Sequence, residues 1–209
     1  MTDRPLIFSA PMICALLAGR KSQTRRLVKP RFAEAMDFAG EDLIRRFPHQ
    51  EGSGYEVGDR LWVRETWAPL DACTHNDAGP QAHADRGFYR ADNSTNEGEI
   101  SRWRSSIHMP RWASRLTLLV TDVRVQRLQA ISDEDARAEG IFWSDDHLGW
   151  TSGRIDEASD YHARLPGVSF SKLWDAIHGP DVWDANPWVV ALTFSVERRN
   201  IDAEETTHD

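Results

Sequence analysis

The stretch that decides the fold of this chain is LTLLVTDVRVQRL, residues 116–128. Its apolar side chains alternate in one phase up to Val120 and in the opposite phase from Val123, as in a long strand that buries each face in turn. The change of phase predicts a β-bulge or sharp bend near Thr121-Asp122. Such a bend is typical of a strand that serves two parts of a small barrel.

The segments around this strand fit further strands and short helices. Leu6–Phe8 fits a first strand, and a helix follows that Pro11 opens and Gly19 ends. Alternating segments at 58–67 and 188–196 fit two more strands. Because helices and strands do not alternate regularly, we predict an α+β fold, built on a small, mostly antiparallel β-barrel.

Two helices are predicted in the second half of the chain. Ser132 precedes a short acidic segment as an N-cap, and Gly140 ends it. Apolar positions at helical spacing run from Phe170 to Ile177, and Gly179-Pro180 closes that helix.

The domain organisation follows from the polar stretches. We predict a single domain over residues 1–200, with insertions near 69–102 and 144–167 that lack an apolar period. Residues 201–209 are predicted to form a disordered acidic tail. The domain is expected to be a monomer.

Composition limits the classes of partner. A formal net charge of −8 argues against a protein that coats long duplex DNA, although 22 arginines and nine tryptophans suit a nucleoside or a short single strand. Two cysteines form no motif, and no stretch has the length of a membrane span or signal sequence. We therefore expect a cytoplasmic protein that does not enter a membrane.

The turn after the first helix reads GRKSQTRR, residues 19–26, and holds one of only three lysines in the chain. Arginine keeps its proton at any working pH, whereas a lysine crowded by cations loses its proton more readily. Lys21 and Thr24 are therefore candidates for a base and its nucleophile. The alternative is a solvated basic turn that contacts phosphate.

A third candidate lies in the strand at 58–67. Glu65 shares one face of that strand with the apolar residues at 61, 63 and 67. Desolvation raises the pKa of a carboxyl group, which is what a general acid needs near neutral pH. The alternative is a buried ion pair with Arg25, Arg26 or another arginine.

Aromatic and cationic side chains interleave between residues 103 and 115, as expected at the rim of a site for a flat ligand. His108 and Trp112 belong to this run, and both residue types are also common as structural residues. Cys73, His75 and His83 lie in one loop but lack the paired spacing of a structural zinc site, so we predict no metal.

The motifs at 19–26 and 58–67, together with the strand-helix start and the closing strand, resemble the ASCH domains, which are similar in fold to PUA-type RNA-binding barrels. Over nearly its whole length, including 106–115, the chain looks like the longer phage and prophage ASCH proteins. Within that superfamily, N4-acetylcytidine amidohydrolase uses a lysine as proton acceptor, a threonine as nucleophile and a glutamate as proton donor. The resemblance assigns these roles to Lys21, Thr24 and Glu65.

The expected function is therefore hydrolysis of an N4-acyl amide on a cytosine nucleoside, free or in a short single-stranded RNA, without a cofactor. The side chains expected to hold the base and its surroundings are Arg20, Arg25, Arg26, Arg64, Trp67, His108 and Trp112. Two alternatives stay open: a module that binds RNA or a modified base without catalysis, and a phage assembly protein whose tryptophan-rich surface contacts a protein partner.

Overall fold

The structure is a computed structural model, and it describes residues 2–39, 54–70, 87–92, 100–146, 148–153 and 163–203. The strands are β1 (Asp3–Ile7), β2 (Gln23–Leu27), β3 (Arg60–Arg64), β4 (Trp67–Ala68), β5 (Phe88–Tyr89), β6 (Thr117–Arg127), β7 (Phe142–Ser144), β8 (Gly149–Thr151) and β9 (Trp188–Glu197). The helices are α1 (Ala10–Leu17), α2 (Pro30–Ala39), α3 (Asp133–Ala138) and α4 (Pro166–His178).

Five strands form one sheet in the order β1-β3-β6-β9-β2, in which only the β1–β3 pair is parallel. The pairs β4–β5 and β7–β8 form two small antiparallel sheets. The prediction of a mostly antiparallel α+β fold is confirmed. The predicted bulge is also present, because the pairing of β6 with β9 changes register between Val120 and Asp122.

The prediction of a closed barrel is wrong for the described residues, because β1 and β2 form the two edges of the sheet and do not pair with each other. A side chain spans the opening instead of a backbone ladder: the Arg26 guanidinium on β2 donates to the Ile7 carbonyl on β1, at 3.0 Å. Alternation along a strand indicates which face is buried, but it does not indicate which neighbour the strand pairs with. We call this opening the seam.

The main core lies between the five-stranded sheet and α1. The bulge explains how β6 contributes to this core along its length, since Val120 before it and Val123 after it are both buried in the same cluster. A second core joins α3 and α4 to the end of β9 and is formed by Leu128, Ala136, Ile141, Phe170, Trp174 and Val189. These two cores fix α1, α3 and α4 around the seam, and pairing with β9 fixes β2.

The stretches predicted as insertions contain ordered elements. Phe88 and Tyr89 are buried in β5, and the Tyr89 hydroxyl donates to the Ala113 carbonyl at 2.6 Å. Residues 149–151 of the second stretch form β8. Residues 71–86, which include Cys73, His75 and His83, lie outside the described residues.

The described chain ends in contact with the domain. Ile201 is buried, and Asp202 accepts hydrogen bonds from the guanidinium of Arg111. Residues 204–209, the rest of the predicted tail, lie outside the described residues. Within the described ranges, no helix combines the length and the apolar character needed to cross a membrane.

Candidate functional site

Lys21 is buried in the turn between α1 and β2. Gly19 allows this turn because its φ of +69° lies in the left-handed region. The Lys21 side chain is 1% exposed, and its Nζ donates to the Glu139 carbonyl oxygen at 2.8 Å and to Glu139 Oε2 at 2.7 Å. Burial lowers the pKa of Lys21 below its usual value, although the charge and the hydrogen bond of Glu139 oppose this. Lys21 thus has the direction of pKa shift that a base requires.

Glu139 is the residue that joins the buried charges. Its second carboxylate oxygen, Oε1, accepts from Arg25 Nη1 at 3.1 Å. Asp135 lies four residues earlier, and its Oδ2 accepts from Arg25 Nη2 at 2.7 Å. Residues four apart share one face of a helix, so α3 and its C-cap residue Glu139 present both carboxylates to β2.

The position of α3 depends on its N-cap and on this cluster. The Ser132 hydroxyl accepts from the Asp135 backbone N–H at 3.1 Å, as predicted from the sequence. Burial alone would raise the pKa of Asp135, but the hydrogen bond from Arg124 and the charge of Arg25 lower it below its usual value. Asp135 therefore stays ionised and holds Arg25 in place.

A cavity of about 660 Å³ lies at the seam, between α1, β1, β2 and α4. We call it the seam cavity. The polar residues that line it are Ser9, Thr24, Arg25, Arg26, Glu139, Ser152 and His178. Much of the remaining wall is apolar and comes from Ile7, Met12, Phe170, Leu173, Trp174 and Ile177. An apolar wall with a few polar groups is the usual composition of a small-molecule site.

Thr24 and Glu139 both line the seam cavity, whereas Lys21 does not line it and donates to Glu139. The Thr24 hydroxyl makes no hydrogen bond within the part of the chain that the structure describes. Arg25 also lines the cavity, and its Nε is buried without a hydrogen-bond partner among the described residues. The same holds for six other side-chain nitrogens in the described part of the chain, among them Trp174 Nε1, so the unpaired Arg25 Nε does not by itself mark a ligand contact.

Glu65 lies elsewhere. It is 2% exposed, as its place in the apolar row predicts, but it does not line the seam cavity. The Arg115 guanidinium binds it with two hydrogen bonds, Nε to Oε1 at 2.9 Å and Nη2 to Oε2 at 3.0 Å, and also binds Asp92. The alternative of a buried ion pair with another arginine is therefore the arrangement observed. A carboxylate held in this way is an acceptor and a poor proton donor.

The predicted binding residues divide between two regions. Arg25 and Arg26 line the seam cavity. Arg20 is exposed beside it, with its guanidinium 4.1 Å from the centre of the Phe142 ring.

The other four predicted binding residues do not line the cavity. Trp67 is buried and meets the exposed Trp112 edge-on, with ring centres 5.6 Å apart. Arg64 donates to the Ile107 carbonyl, and His108 is exposed in the short 3-10 helix at 106–108. This second region is a surface of aromatic and cationic side chains, separate from the cavity lining.

Sequence reasoning missed Glu139. The available signal was the helical spacing of Asp135, in the capped helix α3, and Glu139, its C-cap. Glu139 is 118 residues from Lys21 in the chain. The spacing shows that the two carboxylates share a face. It does not show that this face meets Lys21.

No family model, curated protein or solved structure matches this chain significantly. The case for its function therefore rests on the geometry of the site.

Proposed function

We propose that the seam cavity is the active site of an amidohydrolase that removes an acyl group from N4 of a cytosine nucleoside. One observation carries the proposal: Thr24 and Glu139 line one cavity, and the Glu139 carboxylate binds a buried lysine whose pKa is lowered. A hydroxyl nucleophile, a base of lowered pKa and a proton carrier are the parts that acyl transfer needs.

Glu139 takes the role that the sequence analysis gave to Glu65. It lines the cavity and lies 2.7 Å from Lys21 Nζ, whereas Glu65 is engaged by Arg115 outside the cavity lining. The exchange keeps the residue types lysine, threonine and glutamate, but it replaces the glutamate that the resemblance to ASCH domains implies. It changes only which strand or helix supplies the acid.

In the proposed reaction, neutral Lys21 accepts the Thr24 proton as the Thr24 oxygen bonds to the acyl carbon. The proton passes from Lys21 Nζ to Glu139 and then to the exocyclic nitrogen, so that the C–N bond breaks and the amine leaves neutral. Water next attacks the acyl-threonine ester and gives a proton to Lys21, which passes it to the departing Thr24 oxygen as the acid is released. The Thr24 hydroxyl is restored, and the sum is one amide plus one water to one amine plus one carboxylic acid.

The walls of the cavity supply the contacts that hold the substrate. Trp174 and Phe170 give flat apolar surfaces on which a pyrimidine ring can stack. Within this proposal the chain is an ASCH-type, PUA-like protein of the cytoplasm, and the open seam is the entrance for its substrate.

The test is turnover of N4-acetylcytidine by purified wild type and by Thr24→Val, which nearly preserves the side-chain shape but removes the nucleophilic oxygen. We expect cytidine and acetate from the wild type, appreciable activity from Thr24→Ser, and loss of at least about a thousandfold from Thr24→Val, as for other members of a nucleophilic set. Product separation by chromatography measures each rate.

Two controls separate the acids. Glu139→Gln is expected to remove turnover, whereas Glu65→Gln should retain it in the fraction of protein that is folded, as measured by circular dichroism. Turnover by Thr24→Val near the wild-type rate would show that water, not Thr24, attacks the substrate. Tight binding of N4-acetylcytidine by the wild type without turnover would favour a reader of modified bases instead.

A further inference from the structure

Arg26 is the cation of this site that has no carboxylate partner in the described part of the chain. Lys21 is paired with Glu139, and Arg25 is paired with both Glu139 and Asp135. The Arg26 guanidinium instead donates to two backbone carbonyls, those of Arg25 at 3.2 Å and Ile7 at 3.0 Å. A guanidinium has five N–H groups, so three remain for a ligand.

The surroundings of Arg26 favour an anion. Arg26 lines the seam cavity, and burial lowers its pKa below the usual value although the charge of Glu139 opposes this. Arg26 is half-buried, and a partly desolvated cation without a paired anion is stabilised by an anionic group placed against it. A phosphate or carboxylate accepts two parallel hydrogen bonds from a guanidinium, which is the strongest arrangement available to it.

His178 lines the same cavity from the last turn of α4. Its ring lies against that of Trp174, with ring centres 4.1 Å apart, and it makes no hydrogen bond among the described residues. Burial, and then the charge of Arg26, lower the pKa of His178. The imidazole is therefore neutral near pH 7, and its N–H is free to donate to the ligand that Arg26 holds.

The spacing along β2 relates this group to the proposed chemistry. Thr24 and Arg26 are two residues apart, so their side chains share a face and stand roughly 7 Å apart along the strand. A cavity of about 660 Å³ is within the usual range of ligand sites and exceeds what a base alone would fill. A ligand with its base amide at Thr24 can therefore extend toward Arg26.

We infer that Arg26 and His178 form a phosphate subsite of the seam cavity, so that the substrate is a phosphate ester of an N4-acylated cytosine nucleoside and not the free nucleoside. This inference rests on the proposed function for the position of the base at Thr24. The phosphate is either a terminal monoester or a diester within a short strand. Both present the same oxygens to Arg26.

The test begins with binding, which needs no catalysis. Calorimetry compares cytidine, cytidine 5′-monophosphate and a trinucleotide with central cytosine on the wild type and on Arg26→Gln. We expect the monophosphate or the trinucleotide to bind at least about tenfold more tightly than cytidine to the wild type, as one charge-assisted contact provides. That preference should fall to about one in Arg26→Gln.

Further variants control for damage to the seam, since Arg26 also spans it. Arg26→Lys keeps the charge and should keep part of the preference. His178→Ala should reduce it by a smaller factor than Arg26→Gln. Arg31→Gln removes an exposed arginine on α2 that does not line the cavity, and it should leave the preference unchanged. Unfolding midpoints in urea show that each variant is folded.

The outcomes separate this inference from the proposed function. A phosphate preference that Arg26→Gln abolishes, without hydrolysis of any N4-acetyl compound, keeps the subsite and refutes the hydrolase. Hydrolysis of N4-acetylcytidine with equal wild-type binding of cytidine and its phosphates refutes the subsite and keeps the hydrolase. A preference that persists in Arg26→Gln, or no binding of any of the three ligands, also overturns the subsite.

Discussion

Replacement of Glu139 by Gln should destabilise the fold more than replacement of its partner Lys21 by Met. The Glu139 carboxylate is 5% exposed and is shared by two cations whose side chains are 1% and 0% exposed, Lys21 and Arg25. Removal of one member of a buried pair costs about 3–5 kcal/mol, because the other charge stays buried. In this variant Lys21 Nζ can still donate to the backbone carbonyl of residue 139 at 2.8 Å, and Arg25 still pairs with Asp135. We therefore expect a cost at the lower end of this range, about 3 kcal/mol.

Lys21→Met leaves Glu139 with Arg25 and fills the same buried space with an apolar chain, so its cost should be nearer 1 kcal/mol. In the double variant no unpaired lysine charge is buried. The loss in the free energy of unfolding should therefore be about 1–2 kcal/mol smaller than the sum of the two single-variant losses. Equilibrium unfolding in urea gives all three values, provided that the m-value is unchanged. A Glu139→Gln variant within about 0.5 kcal/mol of the wild type, or strict additivity, would refute the view that Glu139 neutralises this cluster.

Further predictions concern pH and backbone geometry. Turnover should rise with pH as Lys21 loses its proton, and this rise should occur below the usual lysine pKa of 10.5. In the same pH–rate series Lys21→Arg should be inactive, because a guanidinium keeps its proton. Because the pKa of Lys21 is lower in the folded than in the unfolded protein, the folded state binds fewer protons at pH values between those two pKa values. The contribution of Lys21 to the free energy of unfolding should therefore rise with pH across this range, as measured by urea unfolding against Lys21→Met. Ser132→Ala should cost about 1 kcal/mol in urea unfolding, since it removes the cap of α3. Gly140→Ala should cost about 2 kcal/mol and slow turnover, because φ there is +102° and the new Cβ would lie 3.2 Å from Ala15 Cβ and 3.5 Å from Lys21 Cβ; thermal unfolding and the hydrolysis assay measure both effects.

Local features of this fold were predictable because they depend on neighbours in sequence. The opposite phases of apolar residues before and after Thr121-Asp122 predicted the bulge that the pairing of β6 and β9 shows between Val120 and Asp122. The hydroxyl of Ser132 caps α3 as predicted, because a cap requires only residues within one turn. Burial of Glu65 also followed from the parity of its strand.

Long-range pairings were not predictable in this way. The parity of Glu65 showed that it would be buried, but not that Arg115, 50 residues away, would hold it outside the cavity lining. Glu139 lies 118 residues from Lys21, and no periodicity relates the two. The prediction of a closed barrel was wrong for the same reason, since alternation in β1 and β2 is compatible both with pairing and with separation of these two edge strands.

The open seam and the buried charges are linked physically. A closed ladder between β1 and β2 would satisfy the backbone groups of both edges and leave no space for a ligand there. With the edges apart, Arg26 satisfies the Ile7 carbonyl from across the opening, while α3 supplies carboxylates to the two cations beside it. Among the described residues that line the cavity, Arg26 has N–H groups that no carbonyl accepts and that are available to a ligand. In the proposed function, the phosphate of the substrate pairs with these N–H groups, so the separation of β1 and β2 that leaves the barrel open also provides the space for the substrate.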